Sequence, residues 1–151
     1  MAHPKGHWLL KSEPTAYGWA HLEKDGRTEW TGIRNFEARN NLRAMREGDL
    51  ALFYHTGVEK QVVGVAKVTR AGRPDPTAHG EDWTSVELVP LSPLASPVTL
   101  ERIGQDVRLR AFPLVTRGRL SVVPVTPAQY RRILQLAKGR PASTPSPRRK
   151  R

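Results

Sequence analysis

The chain has no cysteine among its 151 residues. That excludes disulfides and thiolate metal sites, and it is compatible with a reducing compartment. Long apolar runs are missing too, since none approaches the roughly 18 residues that span a bilayer. The opening Met1-Ala2-His3-Pro4-Lys5-Gly6 lacks the hydrophobic stretch of a signal peptide. The expectation is a soluble intracellular chain with no membrane partner. It would be cytoplasmic, associated with the nucleoid in a bacterium or nuclear in a eukaryote. His3, His7, His21, His55 and His79 show no paired ligand spacing, so no metal site is expected. Neither a phosphate-cradling Gly-rich loop nor a nucleophile elbow is present, and no cofactor is expected.

Acidic residues are scarce, 14 against 25 basic, for a net charge of +11. The excess is uneven. Residues 138–151 carry six basic side chains and no acid, leaving +5 for residues 1–137. Such a surplus favours polyanions, nucleic acid before anionic membrane, although a solvated basic surface has the same composition. The last segment holds three prolines and no large apolar side chain, so burial cannot offset its ordering entropy. The reading is one domain over 7–137, an extension at 1–6 and a disordered basic tail at 138–151. If all six tail cations met duplex phosphates, the salt slope of binding would steepen by roughly 5.

Along the domain, His7 to Glu13 reads as a strand ended by Pro14. Thr15 to Lys24 reads as a helix, residues 27–35 as a loop, and Phe36 to Arg46 as a helix stopped by Gly48. Asp49 to His55 and Gln61 to Arg70 form a hairpin across Thr56-Gly57-Val58-Glu59-Lys60. Residues 71–80 read as a loop, Trp83 to Val89 as a strand, Leu100 to Leu109 as a short helix, and Val115 to Val125 as the last strand. Thr126-Pro127-Ala128-Gln129 carries an N-cap, an N1 proline and a capping-box glutamine. Tyr130, Ile133, Leu134 and Ala137 then mark one buried helical face. The fold class is α+β, a mostly antiparallel, barrel-like sheet with helices between strands.

Five segments set polar and aromatic groups beside apolar runs: Lys11-Ser12-Glu13-Pro14, Trp30-Thr31-Gly32-Ile33-Arg34-Asn35, Phe53-Tyr54-His55-Thr56, Val63-Gly64-Val65-Ala66-Lys67-Val68 and Arg119-Leu120-Ser121-Val122. Together with Glu37-Ala38-Arg39-Asn40, Gly48-Asp49 and Pro97-Val98-Thr99-Leu100, this order resembles the EVE domain family of the PUA-like superfamily. The resemblance covers roughly residues 7–137. It implies a compact β-barrel flanked by short helices, with kinship to YTH and ASCH domains. It also implies a reader of modified bases in DNA or RNA, modified cytosines foremost.

The base pocket expected on these grounds comprises Lys11, Ser12, Trp30, Asn35 and His55. Glu13, Arg34, Tyr54, Trp83, Arg119 and Ser121 would be further pocket or phosphate contacts. Each has a plainer alternative. Trp30 is either a stacking wall or a core tryptophan, and Gly32 would let backbone approach a ligand. Asn35 either reads a Watson–Crick edge or caps the following helix. Lys11 and Ser12 alternate, so one of them should face the cleft. Tyr54 and His55 face opposite ways unless a bulge intervenes, and the family pattern favours His55. Trp83 is a second cage wall or core. Arg34 and Arg119 grip phosphate, or pair with Glu13 or Glu37. An ASCH-like enzyme with Glu13 and His55 as acid and base is the rival to a non-catalytic reader. The sequence leaves the oligomeric state open, a monomer being favoured.

Overall fold

The structure is a computed structural model that describes residues 6–78 and 82–138. Its strands are β1 (His7–Ser12), β2 (Thr28–Trp30), β3 (Leu50–His55), β4 (Gln61–Pro74), β5 (Thr84–Thr99) and β6 (Val122–Val125). Its helices are α1 (Pro14–Tyr17), α2 (Trp19–Asp25), α3 (Phe36–Ala44), α4 (Leu100–Gly104), a 3-10 turn at Val107–Leu109, α5 (Pro113–Thr116) and α6 (Pro127–Lys138).

All six strands lie in one sheet, ordered β2-β5-β4-β3-β1-β6. Four of its pairings are antiparallel. The exception is β1 beside β3, parallel, with Leu10 opposite Phe53 and Ser12 opposite His55. The α+β, mostly antiparallel expectation therefore holds. Barrel closure does not: β2 and β6 are the edges of an open sheet. They are three and four residues long, and short edge strands end a sheet without offering a long template for further pairing.

The hairpin is longer than its hydrophobic pattern suggested. β4 continues to Pro74, so the first four residues of the expected 71–80 loop are strand, and β5 runs through Pro90, Pro93 and Pro97. Proline lacks the ladder donor, and the β4–β5 register shifts at four places along this ribbon. The expected helix over 15–24 is broken. Glu13 caps α1, and Gly18, extended at φ −105°, separates it from α2. The expected strand over 115–125 keeps only Val122–Val125, because Pro113 starts α5 upstream. The α6 capping box forms as read: Thr126 Oγ1 accepts from Gln129 N at 3.1 Å, and Gln129 Oε1 from Thr126 N at 3.0 Å. Its buried face is Ile133, Leu136 and Ala137, with Tyr130 and Leu134 half-buried at its margin. Lys138 ends α6. The remainder of the expected tail, most of the expected N-terminal extension, and His79 and Gly80 of the expected loop lie outside the described residues.

β3 is buried at every position after Leu50, so the sheet is covered on both faces at its centre. At Gly64 of β4 the ring of Trp19 packs directly on the backbone, and an added Cβ would come within 2.7 Å of it. Asp49 ties the start of the chain to β3. Its carboxylate accepts from Gly6 N, Trp8 Nε1 and Arg46 N at 2.8–3.0 Å.

Candidate functional site

The expected pocket residues are dispersed among distinct environments, and strand alternation accounts for the first separation. Lys11 and Ser12 are neighbours on β1 and so project to opposite faces. Ser12 lines a cavity of about 340 Å3 with Tyr17, Thr28, Glu29, Trp30 and Thr31. Its hydroxyl donates to the Tyr17 carbonyl. Lys11 lines a second cleft, about 220 Å3, with Tyr54, Thr56, Gly57, Lys60, Leu100, Leu114 and Gly118. There its ammonium donates to the Gly118 carbonyl at 2.8 Å, and burial lowers its pKa from the ordinary lysine value. Tyr54 is buried in the same cleft, which raises its phenol pKa. A third cleft, about 290 Å3, holds Asn35, Glu37, Thr116, Arg117, Gly118, Arg119 and Leu120.

Trp30 takes the core reading. It is 9% exposed and belongs to the hydrophobic core. Its ring meets Phe53 at 5.6 Å and Tyr17 at 6.2 Å, both edge-to-face. The small remaining surface borders the first cavity, where Tyr17 and Trp30 make an aromatic corner at 76°. The Tyr17 hydroxyl donates to Asp25 at 2.9 Å, which holds that side chain in place. Tyr17, Thr28 and Thr31 were missed in the sequence. The usable signal was Gly18, which ends α1 directly after Tyr17. Glu29 lies in β2 with its carboxylate bonded to Arg73 and Ser85.

Several expected pocket residues have structural duties instead. Asn35 is the N-cap of α3, its Oδ1 accepting from Ala38 N at 2.8 Å. It is exposed and shares no cavity with Trp30. His55 is 8% exposed, and both ring nitrogens are engaged. Nε2 accepts from Trp19 N at 3.0 Å, so Nδ1 carries the proton toward Glu59 Oε1 at 2.7 Å. That bond lowers the Glu59 pKa. Glu13 spends one carboxylate oxygen on Thr15 N and Thr15 Oγ1. Neither Glu13 nor His55 lines any of these three cavities. A register shift does fall between Phe53 and Tyr54, but it leaves His55 turned to Glu59 and Trp19.

Arg34 pairs neither with Glu13 nor with Glu37. Its guanidinium reaches Asp75 at 2.9 Å and Thr77 at 3.1 Å, and lies 5.5 Å from the Trp83 ring centroid. Trp83 is buried outside the main core, stacked on the exposed Phe36 at 5.1 Å with Arg39 beside both rings. Gly32 has φ +82° with open space at its Cβ position, and its N–H donates to Asp75 at 2.8 Å. Its glycine serves the turn. Burial of Asp75 opposes its ionised form, but bonds from Thr77, Gly32 and Arg34 outweigh that and hold its carboxyl well below the usual range. Arg117 takes the bidentate pairing with Glu37 at 2.6 and 2.9 Å. Arg119 is exposed and makes no side-chain hydrogen bond among the described residues. Ser121 accepts from Lys11 N through its carbonyl. Among the described residues no cluster of three or more metal-ligating side chains exists. None of their helices is long and apolar enough to cross a membrane.

The family model described as "EVE domain" matches residues 6–136. Human thymocyte nuclear protein 1 is 30% identical over 90% of this chain and 76% of its own length. A crystal structure of an Agrobacterium tumefaciens protein superposes with a TM-score of 0.86 at 37% identity, covering 93% of this chain and 99% of that one. The crystal structure of human THYN1 protein in complex with 5-methylcytosine containing DNA superposes with a TM-score of 0.82 at 27% identity. It covers 91% of this chain and 100% of that one.

Proposed function

The chain belongs to the EVE domain family, and from that premise we propose that it is a non-catalytic DNA-binding module that takes a 5-modified cytosine into the cavity beside Trp30. One observation carries this reading. The cavity of Ser12, Tyr17, Thr28 and Trp30 joins a corner of two aromatic rings to a polar strand end. A relative of the same fold is solved with 5-methylcytosine containing DNA, which supports DNA over RNA as partner.

The physical demands are specific. A base in a duplex must leave the stack at a cost of a few kcal/mol. Contact with Tyr17 and Trp30 offsets part of that, since stacking on an aromatic contributes about 1–3 kcal/mol. The methyl group itself contributes about 0.8 kcal/mol, about a fourfold preference. Sharper discrimination requires a polar partner for a hydroxymethyl group or a penalty on the unmodified base. Thr31 and Thr28, the latter bonded to Tyr17, bring hydroxyls to the cavity wall.

The test is titration of the full chain against matched duplexes bearing cytosine, 5-methylcytosine or 5-hydroxymethylcytosine, with matched RNA alongside, at two salt concentrations. A preference of about fourfold or more for a modified cytosine is expected. Equal affinity for every duplex would sink the reading. Trp30→Phe keeps an apolar core residue while reshaping the corner, and should erase the preference in a folded protein.

A further inference from the structure

We propose that the cleft between the 3-10 turn and α6 is a second nucleic-acid contact, a backbone-phosphate site separate from the base cavity. The cleft has a volume of about 380 Å3 and is lined by Arg108, Ala128, Arg131, Arg132 and Gln135. It shares no lining residue with the cavity of Trp30.

Its charges are arranged front and back. Arg132 is fixed: Nε and Nη2 donate to Asp106 Oδ2 at 2.9 and 2.7 Å, and Nη1 donates to Gln135 at 3.1 Å. The Asp106 side chain is only 8% exposed. The Arg132 bond outweighs its burial and lowers its pKa, so it is ionised at neutral pH and neutralises one guanidinium from behind. Arg108 and Arg131 are exposed, and neither guanidinium donates a hydrogen bond to a described group. Asp106 also attracts the Arg108 charge, so the three arginines and this one carboxylate leave a net of two positive charges at a cleft with no carboxylate in its lining. Guanidinium forks suit the paired oxygens of a phosphodiester.

The distribution of charge along the chain points the same way. Residues 1–101 hold 12 basic and 13 acidic side chains, and residues 102–137 hold seven and one. Residues 138–151 hold six and none. The whole surplus thus lies after Glu101, and three of its arginines line this cleft. Lys138, the first cation of the final run, ends the very helix that forms the cleft wall.

The inference rests on the proposed nucleic-acid partner and not on base modification. Its test uses the full chain and an unmodified DNA duplex over a range of salt. Arg108→Ala/Arg131→Ala removes two phosphate contacts, so the slope of log K against log salt should shrink by about 2. Over a fourfold rise in salt the wild type should then lose about tenfold more affinity than the variant. Arg108→Lys/Arg131→Lys should retain most of the slope, and Lys24→Ala/Arg46→Ala, exposed cations of the earlier segment, should leave it unchanged. An undiminished slope in the alanine variant, or an equal loss in the Lys24 and Arg46 variant, overturns the site. A reduced slope with no preference for modified cytosine sustains it and refutes the base reading instead. Failure of the wild type to bind any duplex refutes both.

Discussion

Asp75 serves the fold alone, whereas Trp30 is at once core and a wall of the candidate cavity. Asp75 joins the 30–34 loop to the turn after β4, through Gly32, Arg34 and Thr77. Removing it takes the shared acceptor from Gly32, Arg34 and Thr77, so Asp75→Ala should cost about 1–3 kcal/mol in chemical denaturation. Because its folded carboxyl sits below the ordinary value, its contribution is complete above about pH 4. It is lost as pH falls toward the folded value. Stability should thus decline less steeply between pH 5 and about pH 2 in Asp75→Asn than in the wild type, as urea midpoints at each pH would reveal. For Trp30 the packing sets a different rule. It is core as well as cavity wall, so Trp30→Ala should lose about 3–5 kcal/mol. A loss below 1 kcal/mol would mean that its contacts with Phe53 and Tyr17 contribute little. Truncation at this position confounds folding with recognition, which is why the phenylalanine variant is the informative one.

At the scale of elements, the most local signals were the most readable. The α6 capping box and the β3–β4 hairpin are set by neighbours within a few residues, and both stand where the sequence places them. Thr126→Ala should accordingly cost about 1 kcal/mol in thermal or chemical unfolding. β2 was read as loop because three residues carry no period, and only pairing with β5 makes them a strand. The site was harder still. Ser12 and Trp30 were legible as types, and they do meet. Lys11, Asn35 and His55 have equally suitable chemistry, but alternation, helix capping and the Trp19–Glu59 bonds take them elsewhere. Alternation and the Asn35 cap were both open in the sequence, whereas the bond from Trp19 to His55, 36 positions apart, leaves no local trace. Gly64 illustrates the same point, since its lack of a side chain is explained only by Trp19, 45 positions away in the chain. Gly64→Ala should force that ring aside and cost about 1–3 kcal/mol, measurable by denaturation and by a change in tryptophan fluorescence.

At the scale of the whole molecule, the charge divides by position in the chain, and on the proposed reading base choice and phosphate grip fall to different segments. Deletion of residues 139–151 removes five cations. It should lower the salt slope by up to roughly 4 while sparing any preference among bases. A change in that preference would place the segment at the base cavity.

β1, the first of the described strands, lies between β3 and β6, the last of them. During synthesis it must therefore wait for more than a hundred residues before its second edge is covered. Until Val122–Val125 arrives, Trp8, Leu9 and Leu10 sit on an open ladder, a template for pairing with another nascent chain. Nonlocal closure of this kind slows folding. Ribosome-bound fragments ending before Val122 should accordingly aggregate or recruit holding chaperones, whereas those extending past α6 should not.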